Sequence, residues 1–235
     1  MPAGQVGYRA GYFRAASDSV DVTIFGRGGH GAAPQNTVDP IVIAARTVLA
    51  FQTIVSRENN PLDPAVITVG TIHGGTRSNI IPEEVKLQLT VRSFKPEVQK
   101  RLLGSIERIA KAEALAAGAP REPLVKVEPT ARTVYNDPDL TSRVAVALRN
   151  ALGQASVVEI SPKMQFEDFG EYSLAGVPSV LLQVGAVEPA RFAAAKQSGT
   201  PLPGVHSPLW APDRERTLKT AITVETAALL ELLRL

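Results

Sequence analysis

The stretch Asp18-Ser19-Val20-Asp21-Val22-Thr23-Ile24-Phe25-Gly26 runs directly into Arg27-Gly28-Gly29-His30-Gly31-Ala32-Ala33-Pro34. Val20, Val22 and Ile24 fall on one side of an extended chain and Asp21 and Thr23 on the other, the alternation of a half-buried strand. The strand empties into a turn in which Gly26, Gly28, Gly29 and Gly31 surround one histidine. Glycine adopts positive φ at little steric cost, so the spacing predicts a tight turn with His30 at its tip. A titratable side chain on an exposed turn is a candidate for chemistry, and an ordinary loop histidine is the alternative.

Working outward, Asp39-Pro40 opens a helix over about 38–57, with Ile41, Val42, Ala45, Val48, Leu49 and Ile54 at helical spacing. Asn59-Asn60-Pro61 breaks it. Val66, Ile67, Val69 and Ile72 mark a second strand, followed by the polar loop His73-Gly74-Gly75-Thr76-Arg77-Ser78-Asn79. Val85, Leu87, Leu89 and Val91 alternate strictly with Lys86, Gln88, Thr90 and Arg92, the clearest strand in the chain. A second helix from Lys95-Pro96-Glu97 carries Val98, Leu102, Ile106, Ile109 and Ala110 on one stripe, and Gly118 is placed to end it. Leu124–Val127 is a fourth strand. The order β-α-β-β-α-β is that of a ferredoxin-like unit, an antiparallel sheet with two helices on one face and an edge open to a partner.

Residues 136–235 read differently: a helix with Leu140, Val144, Ala147 and Leu148 on one side, a short strand at 157–160, and Glu167-Asp168 set between aromatics. A continuous apolar strand is expected at 177–184, then a long Pro/Gly/Ala loop to His206-Ser207-Pro208. A last helix runs from Pro212 to the end with Leu218, Ile222, Leu229 and Leu233 inward. A buried strand at 177–184 needs neighbours on both sides and only 157–160 is on offer, so sheet partners are expected elsewhere.

Composition narrows the classes. The 235 residues are 44% hydrophobic and 20% charged, ordinary for a globular chain. With 25 basic and 23 acidic residues and no basic run, nucleic acid is not an expected partner. Cysteine is absent, which removes disulfides, thiolate zinc sites and a cysteine nucleophile. No apolar run is expected to span a bilayer, and Met1-Pro2-Ala3-Gly4-Gln5 lacks the layout of a signal peptide, so a cytoplasmic protein is expected. The three histidines, His30, His73 and His206, are not paired at ligand spacing, and neither a serine elbow nor a phosphate-binding glycine motif is present.

Seven short stretches, taken in order, resemble the M20 metallopeptidase and amidohydrolase family, in its hippurate-hydrolase and N-acyl-amino-acid amidohydrolase branch. They are Gly26–Pro34, Gln52–Arg57, Val69-Gly70 to Gly74-Gly75, Ser78–Pro82, Val91-Arg92, Glu167–Phe169 and His206–Pro208. The resemblance implies an α/β protein with three parts: residues 1–17 ending an upstream catalytic segment, a ferredoxin-like lid and dimerisation domain over 18–132, and the C-terminal part of a zinc-exopeptidase-like catalytic domain over 133–235. It implies hydrolysis of an N-acyl amino acid or small peptide by a homodimer using zinc, manganese or cobalt.

The resemblance also implies roles. His30 matches a lid histidine that enters the partner subunit's active site and donates to the oxyanion of a tetrahedral intermediate. Asn79 is expected to bind substrate, with an Asx turn to its own backbone as the alternative. Arg92 suits a substrate carboxylate, or else a salt bridge to Glu83 or Glu84. Gly75 is expected to permit close backbone approach, and Glu167 and Asp168 to lie beside the site. His206 matches the C-terminal metal ligand, while the family's other ligands, a Cys-x-His pair, a Glu-Glu pair and a further histidine, have no match here. The expectation is an N-terminally truncated member, inactive as it stands, with a non-catalytic dimerisation or binding module as the other reading.

Overall fold

The computed structural model describes residues 1–233; the end of the last helix expected from the sequence, residues 234–235, lies outside the described residues. Along the chain the elements are β1 (Val6–Tyr8), β2 (Gly11–Arg14), β3 (Ala16–Phe25), β4 (Gly29–His30), α1 (Pro40–Thr53, prolonged by a π turn to Glu58), β5 (Ala65–Gly74), β6 (Ile80–Ile81), β7 (Glu84–Ser93), α2 (Pro96–Ala116), β8 (Leu124–Ala131), β9 (Val134–Asn136), α3 (Pro138–Leu152), β10 (Val157–Glu159), α4 (Gly170–Leu174), β11 (Gln183–Val184), α5 (Pro189–Ser198) and α6 (Arg214–Leu232). They form two compact units, one of residues 14–134 with 163–170, the other of 1–13, 135–162 and 171–235.

The first unit is the expected β-α-β-β-α-β arrangement, an antiparallel sheet in the order β5-β7-β3-β8. Its register sets Val20 against Leu89, Val22 against Leu87 and Ile24 against Val85, so the apolar residues of the two central strands share one face. That face is roofed by α1 and α2. Ile43, Ala44, Phe51 and Ile54 from one helix, and Val98, Leu102, Ile106 and Ala110 from the other, complete a dry core. Asp39 caps α1 by accepting from the Ile41 N–H at 2.8 Å, and Pro40 occupies its first turn, where the missing N–H costs nothing. Gly118, at φ +68°, ends α2 as expected. The opposite sheet face is polar, with Gln88 bridging Thr71 at 3.1 Å and Asp21 at 3.2 Å.

One expectation about α1 needs correction. The helix over Pro40–Glu58 is long and apolar enough to cross a membrane by length and composition. Its inner face lies on the sheet, while Ile41, Val42 and Leu49 on its outer face are 41%, 56% and 72% exposed. Apolar residues on both faces raise the average that a strand-packed helix would otherwise show.

The second unit departs further from expectation. Residues 1–16, which show no period, supply β1, the central strand of a small sheet in the order β10-β1-β11. The expected strand at 177–184 reduces to Gln183-Val184, antiparallel to β1. Pro178 cannot donate to a ladder. Instead of a neighbouring strand, the fully buried Asn136 serves Leu181: its amide accepts from the Leu181 N–H at 2.8 Å and donates to the Leu181 carbonyl at 3.0 Å and that of Arg9 at 2.8 Å. The loop expected before His206 contains α5, capped by Glu188, with no buried residue and hence no stripe to read. In α6 the inward residues are Thr220 and Val224, with Ala227 and Ala228; Leu218, Ile222, Leu229 and Leu233 are exposed. The packing of α6 on α3 uses the side of the helix opposite the leucine stripe.

Asp18 is 2% exposed in β3, where it accepts from the Gln99 amide at 2.7 Å. Burial raises its carboxyl above the ordinary value, with the Gln99 bond and the Arg132 charge partly offsetting this. A raised folded-state value means the folded form holds the proton more tightly, so stability falls as pH rises from the unfolded value through the folded one. Asp18→Asn keeps an acceptor for Gln99 and removes the charge. Its melting temperature relative to the native chain should therefore increase with pH and level off above the folded-state value; scanning calorimetry between pH 3 and 7 reads this, and a constant difference would contradict it.

Candidate functional site

His30 and Asn79 lie 49 positions apart in the sequence and come together in space. β4 pairs with β6, setting Gly29 against Ile81 and His30 against Ile80, and the Gly31 N–H donates to the Asn79 carbonyl at 2.8 Å. The loop carrying His30 is clasped at its base as well. Arg27 and Val38 exchange both backbone hydrogen bonds, at 2.9 and 3.0 Å, and the Gly26 N–H donates to Glu83 at 2.7 Å. At its tip the Ala33 N–H returns to the His30 carbonyl at 2.9 Å. His30 therefore projects from a braced arm rather than from a flexible turn.

The glycines serve this arm differently from the sequence-based expectation. None of Gly26, Gly28, Gly29 and Gly31 has positive φ. What they need is space. A Cβ at Gly26 would stand 2.3 Å from the Val38 carbonyl oxygen, at Gly28 2.8 Å from that of Ile81, at Gly29 2.7 Å from the Thr37 methyl, and at Gly31 3.1 Å from the Asn79 carbonyl oxygen. Gly75 is the reverse case. Expected to permit close approach, it would give an added Cβ no neighbour nearer than 3.6 Å, but it holds φ +74°. The backbone conformation, not crowding, selects glycine there.

Both side chains at the tip are exposed. The Asn79 amide makes no hydrogen bond among the described residues, so the Asx-turn alternative is not what the structure adopts. The His30 ring uses one nitrogen: Nδ1 accepts from the Ala32 N–H at 3.0 Å. His73 is exposed at the end of β5, cross-strand from Lys86, and takes no part in the His30–Asn79 corner.

Arg92 sits at the far end of β7. It is eight residues from Glu84, about 26 Å along the strand at ~3.3 Å per residue. The expected alternative of a salt bridge to Glu83 or Glu84 is thereby excluded, and Glu84 pairs with Lys86 instead. The Arg92 guanidinium donates from Nη1 to the Met164 carbonyl at 2.7 Å and lies 5.3 Å from the centre of the Phe166 ring. Two bonds of different kind thus hold the segment 163–170 against the sheet. Ala15 adds a backbone bond to Gln165 at 3.2 Å, and Arg14 bridges Lys163 in parallel. Burial lowers the Arg14 guanidinium from its ordinary value, with the Glu167 carboxylate pulling it partly back; burial and then the Arg14 charge lower Lys163. Glu167 and Asp168 are exposed on this segment. Sequence reasoning does not single out Arg14, Lys163 or Phe166, and a single arginine beside a strand gives no spacing signal.

His206 is exposed in the second unit, in a turn where the Ser207 N–H bonds to Gly204 at 2.9 Å. Among the described residues no group of three or more His, Asp or Glu side chains is arranged to hold a metal ion. A catalytic metal of the family's kind needs about three protein ligands. The described residues do not provide them.

The pattern of the peptidase dimerisation domain of the M20 peptidases matches residues 14–117. A protein of Synechocystis sp. named as a probable hydrolase is 35% identical over 229 residues, covering 97% of this chain and 56% of that protein. The IAA-amino acid hydrolase ILR1-like 2 of Arabidopsis thaliana is 37% identical over 187 residues, 75% of this chain and 42% of that one. In structure, a Bacillus subtilis dinuclear metal binding peptidase of the M20 family superposes with a TM-score of 0.72 at 21% identity, over 99% of this chain and 55% of that one, a likeness of fold. The chain spans about half the length of the curated relatives it matches.

The two kinds of glycine make a test. Asn tolerates the left-handed region that Gly75 occupies but has a Cβ. Gly75→Asn should cost under about 1 kcal/mol, while Gly26→Asn should cost about 1–3 kcal/mol or more through overpacking. Urea denaturation of both variants decides it, and equal losses would count against the assignment of space at one position and φ at the other. Arg92→Ala should release the 163–170 segment, read as faster exchange of the Ala15 amide, which donates to the Gln165 carbonyl, with unchanged exchange in β7.

Proposed function

We propose, from the premise that this chain belongs to the M20 peptidase family, that the His30–Asn79 corner is a hydrogen-bond-donating arm for amide hydrolysis. Members of this family are hydrolases and peptidases, and they include dinuclear metal binding enzymes. The substrate class proposed is an N-acyl amino acid or small peptide, in line with the amino acid conjugate named for the Arabidopsis relative. His30 would donate from Nε2 to the carbonyl oxygen as it gains charge, and the Asn79 amide would bind the substrate beside it. A donor so placed lowers the barrier by about 3–4 kcal/mol. A divalent metal, zinc, manganese or cobalt, would supply activated water in an enzyme of this kind. The matched ligand His206 cannot hold it alone. Gly75 shapes the loop leading to Asn79, and Arg92 acts by holding the segment that carries Glu167.

The observation that carries the reading is the placement of two exposed polar side chains, His30 and Asn79, on one braced corner. That corner stands at the opposite end of β7 from Arg92 and Glu167. A substrate the size of a single acylated amino acid cannot reach both ends of a strand about 26 Å long. The arm is therefore proposed to serve a site on a second copy of the chain. A homodimer has a surface to use: the outer face of α1 exposes Ile41, Val42 and Leu49 beside β5, an edge strand with open backbone groups. The same surface supports the second reading, a dimerisation or binding module without catalysis. A cytoplasmic location forms part of the proposal.

Val42→Glu with Leu49→Glu should convert a dimer to a monomer in light scattering; a native chain that is monomeric at high concentration would sink the dimer. Supplied with zinc, manganese or cobalt, the 235 residues alone should turn over hippurate negligibly. Residues 14–134 grafted in place of the matching segment of the Arabidopsis hydrolase should support hydrolysis, and His30→Ala in that chimera should lower kcat about 10²–10³-fold. Undiminished kcat would favour the module reading.

A further inference from the structure

We propose that the backbone N–H of Ala32 is a positioning group that fixes the neutral His30 imidazole as the Nε2–H tautomer, with that proton directed away from the loop. This rests on the reading of His30 as a donor and adds how the donor is set. The Ala32 N–H donates to Nδ1 at 3.0 Å. Nitrogen Nδ1 can accept only when it carries a lone pair, so in the neutral ring the single proton is on Nε2. Nδ1 is as many bonds from Cα as the Oδ1 of an asparagine, so the contact closes the same small ring as an Asx turn, from a residue to the N–H two positions on. The tautomer is thus written into the local sequence and needs no second side chain.

The ring is exposed, so burial does not orient it. Its orientation comes from three bonds around one residue: Ala32 N–H to the ring, Ala33 N–H to the His30 carbonyl at 2.9 Å, and Gly31 N–H to the Asn79 carbonyl at 2.8 Å. The first fixes the side chain and the other two fix the backbone from which it springs. Gly31 matters here because a Cβ would press on Asn79 at 3.1 Å and part the two strands. Protonating Nδ1 would set a donor against the Ala32 donor and release the ring. A neutral Nε2–H keeps its proton throughout: it gives a hydrogen bond to the developing oxyanion and transfers nothing, and at the end of the reaction it is unchanged.

The test uses the chain labelled with ¹⁵N. In the imidazole ¹⁵N spectrum above the titration range, His30 should show one tautomer with an unprotonated, hydrogen-bonded Nδ1 and a scalar coupling to the Ala32 amide nitrogen. Exposed His73 and His206 serve as internal references and should show tautomer averaging without coupling. His30→Asn retains an acceptor at the same position and should keep the Ala32 amide protected from exchange; His30→Ala should lose that protection by a factor of about 5–10, as expected for one hydrogen bond. A His30 spectrum without coupling and with the tautomer ratio of His73 and His206 would overturn the proposal, as would equal Ala32 exchange in the Asn and Ala variants. If the coupling is present but His30→Ala in the grafted lid leaves kcat intact, the lock stands and the donor role fails.

Discussion

The arm stands because backbone passes backbone at distances that leave no room for a side chain. Gly26 lies under the Val38 carbonyl and Gly28 under that of Ile81, each closer than a Cβ could tolerate. With those approaches in place, Arg27 and Val38 can close the base of the loop and β4 can pair with β6. Everything at the tip follows. The register puts His30 beside Ile80, which puts Asn79 against Gly31 and leaves the two polar side chains on one corner. A methyl group at the base would move the corner, although it touches neither the His30 nor the Asn79 side chain.

The sheet beneath the arm is the part most legible in the sequence. Val85, Leu87, Leu89 and Val91 alternate because one face of β7 is roofed by helices and the other is not, and that asymmetry writes itself directly into the residue pattern. The same logic explains what is illegible. β1 and β11 are too short to show a period, α5 buries nothing, and Asn136 replaces a strand with one side chain. In α6 the leucine stripe is the more hydrophobic side of the helix, yet the packing in this structure is on Thr220 and Val224. Composition identifies an apolar side but not which surface meets it.

The candidate site is legible in its residues and not in its geometry. Each motif can be found alone, but His30 and Asn79 meet through a two-residue ladder, Ile80 and Ile81 against Gly29 and His30, which carries no pattern of its own. In the sequence the glycines suggest the property glycine is best known for, positive φ, whereas four of them supply absence of bulk and only Gly75 of this group supplies φ. Arg92 suggests its charge. The structure uses its planarity as well, with one edge on the Met164 carbonyl and a face near Phe166. Lysine in that place would keep the charge and lose the plane.

Exposure connects the arm to the helix beside it. A hydrogen bond from a side chain to an anion is worth little where water competes for both partners, and several kcal/mol where water is excluded. His30 is rigid but wet. Rigidity in an exposed donor has value only if some other surface closes over it, because a loop free to adapt would serve as well in solvent. The outer face of α1 makes the same demand by a different force, since Ile41, Val42 and Leu49 gain from being covered. Both requirements lie on one unit, and a second surface docking against that unit would meet both. On the proposed reading, the braced histidine and the uncovered apolar helix face pose one demand, which association with a second copy would meet.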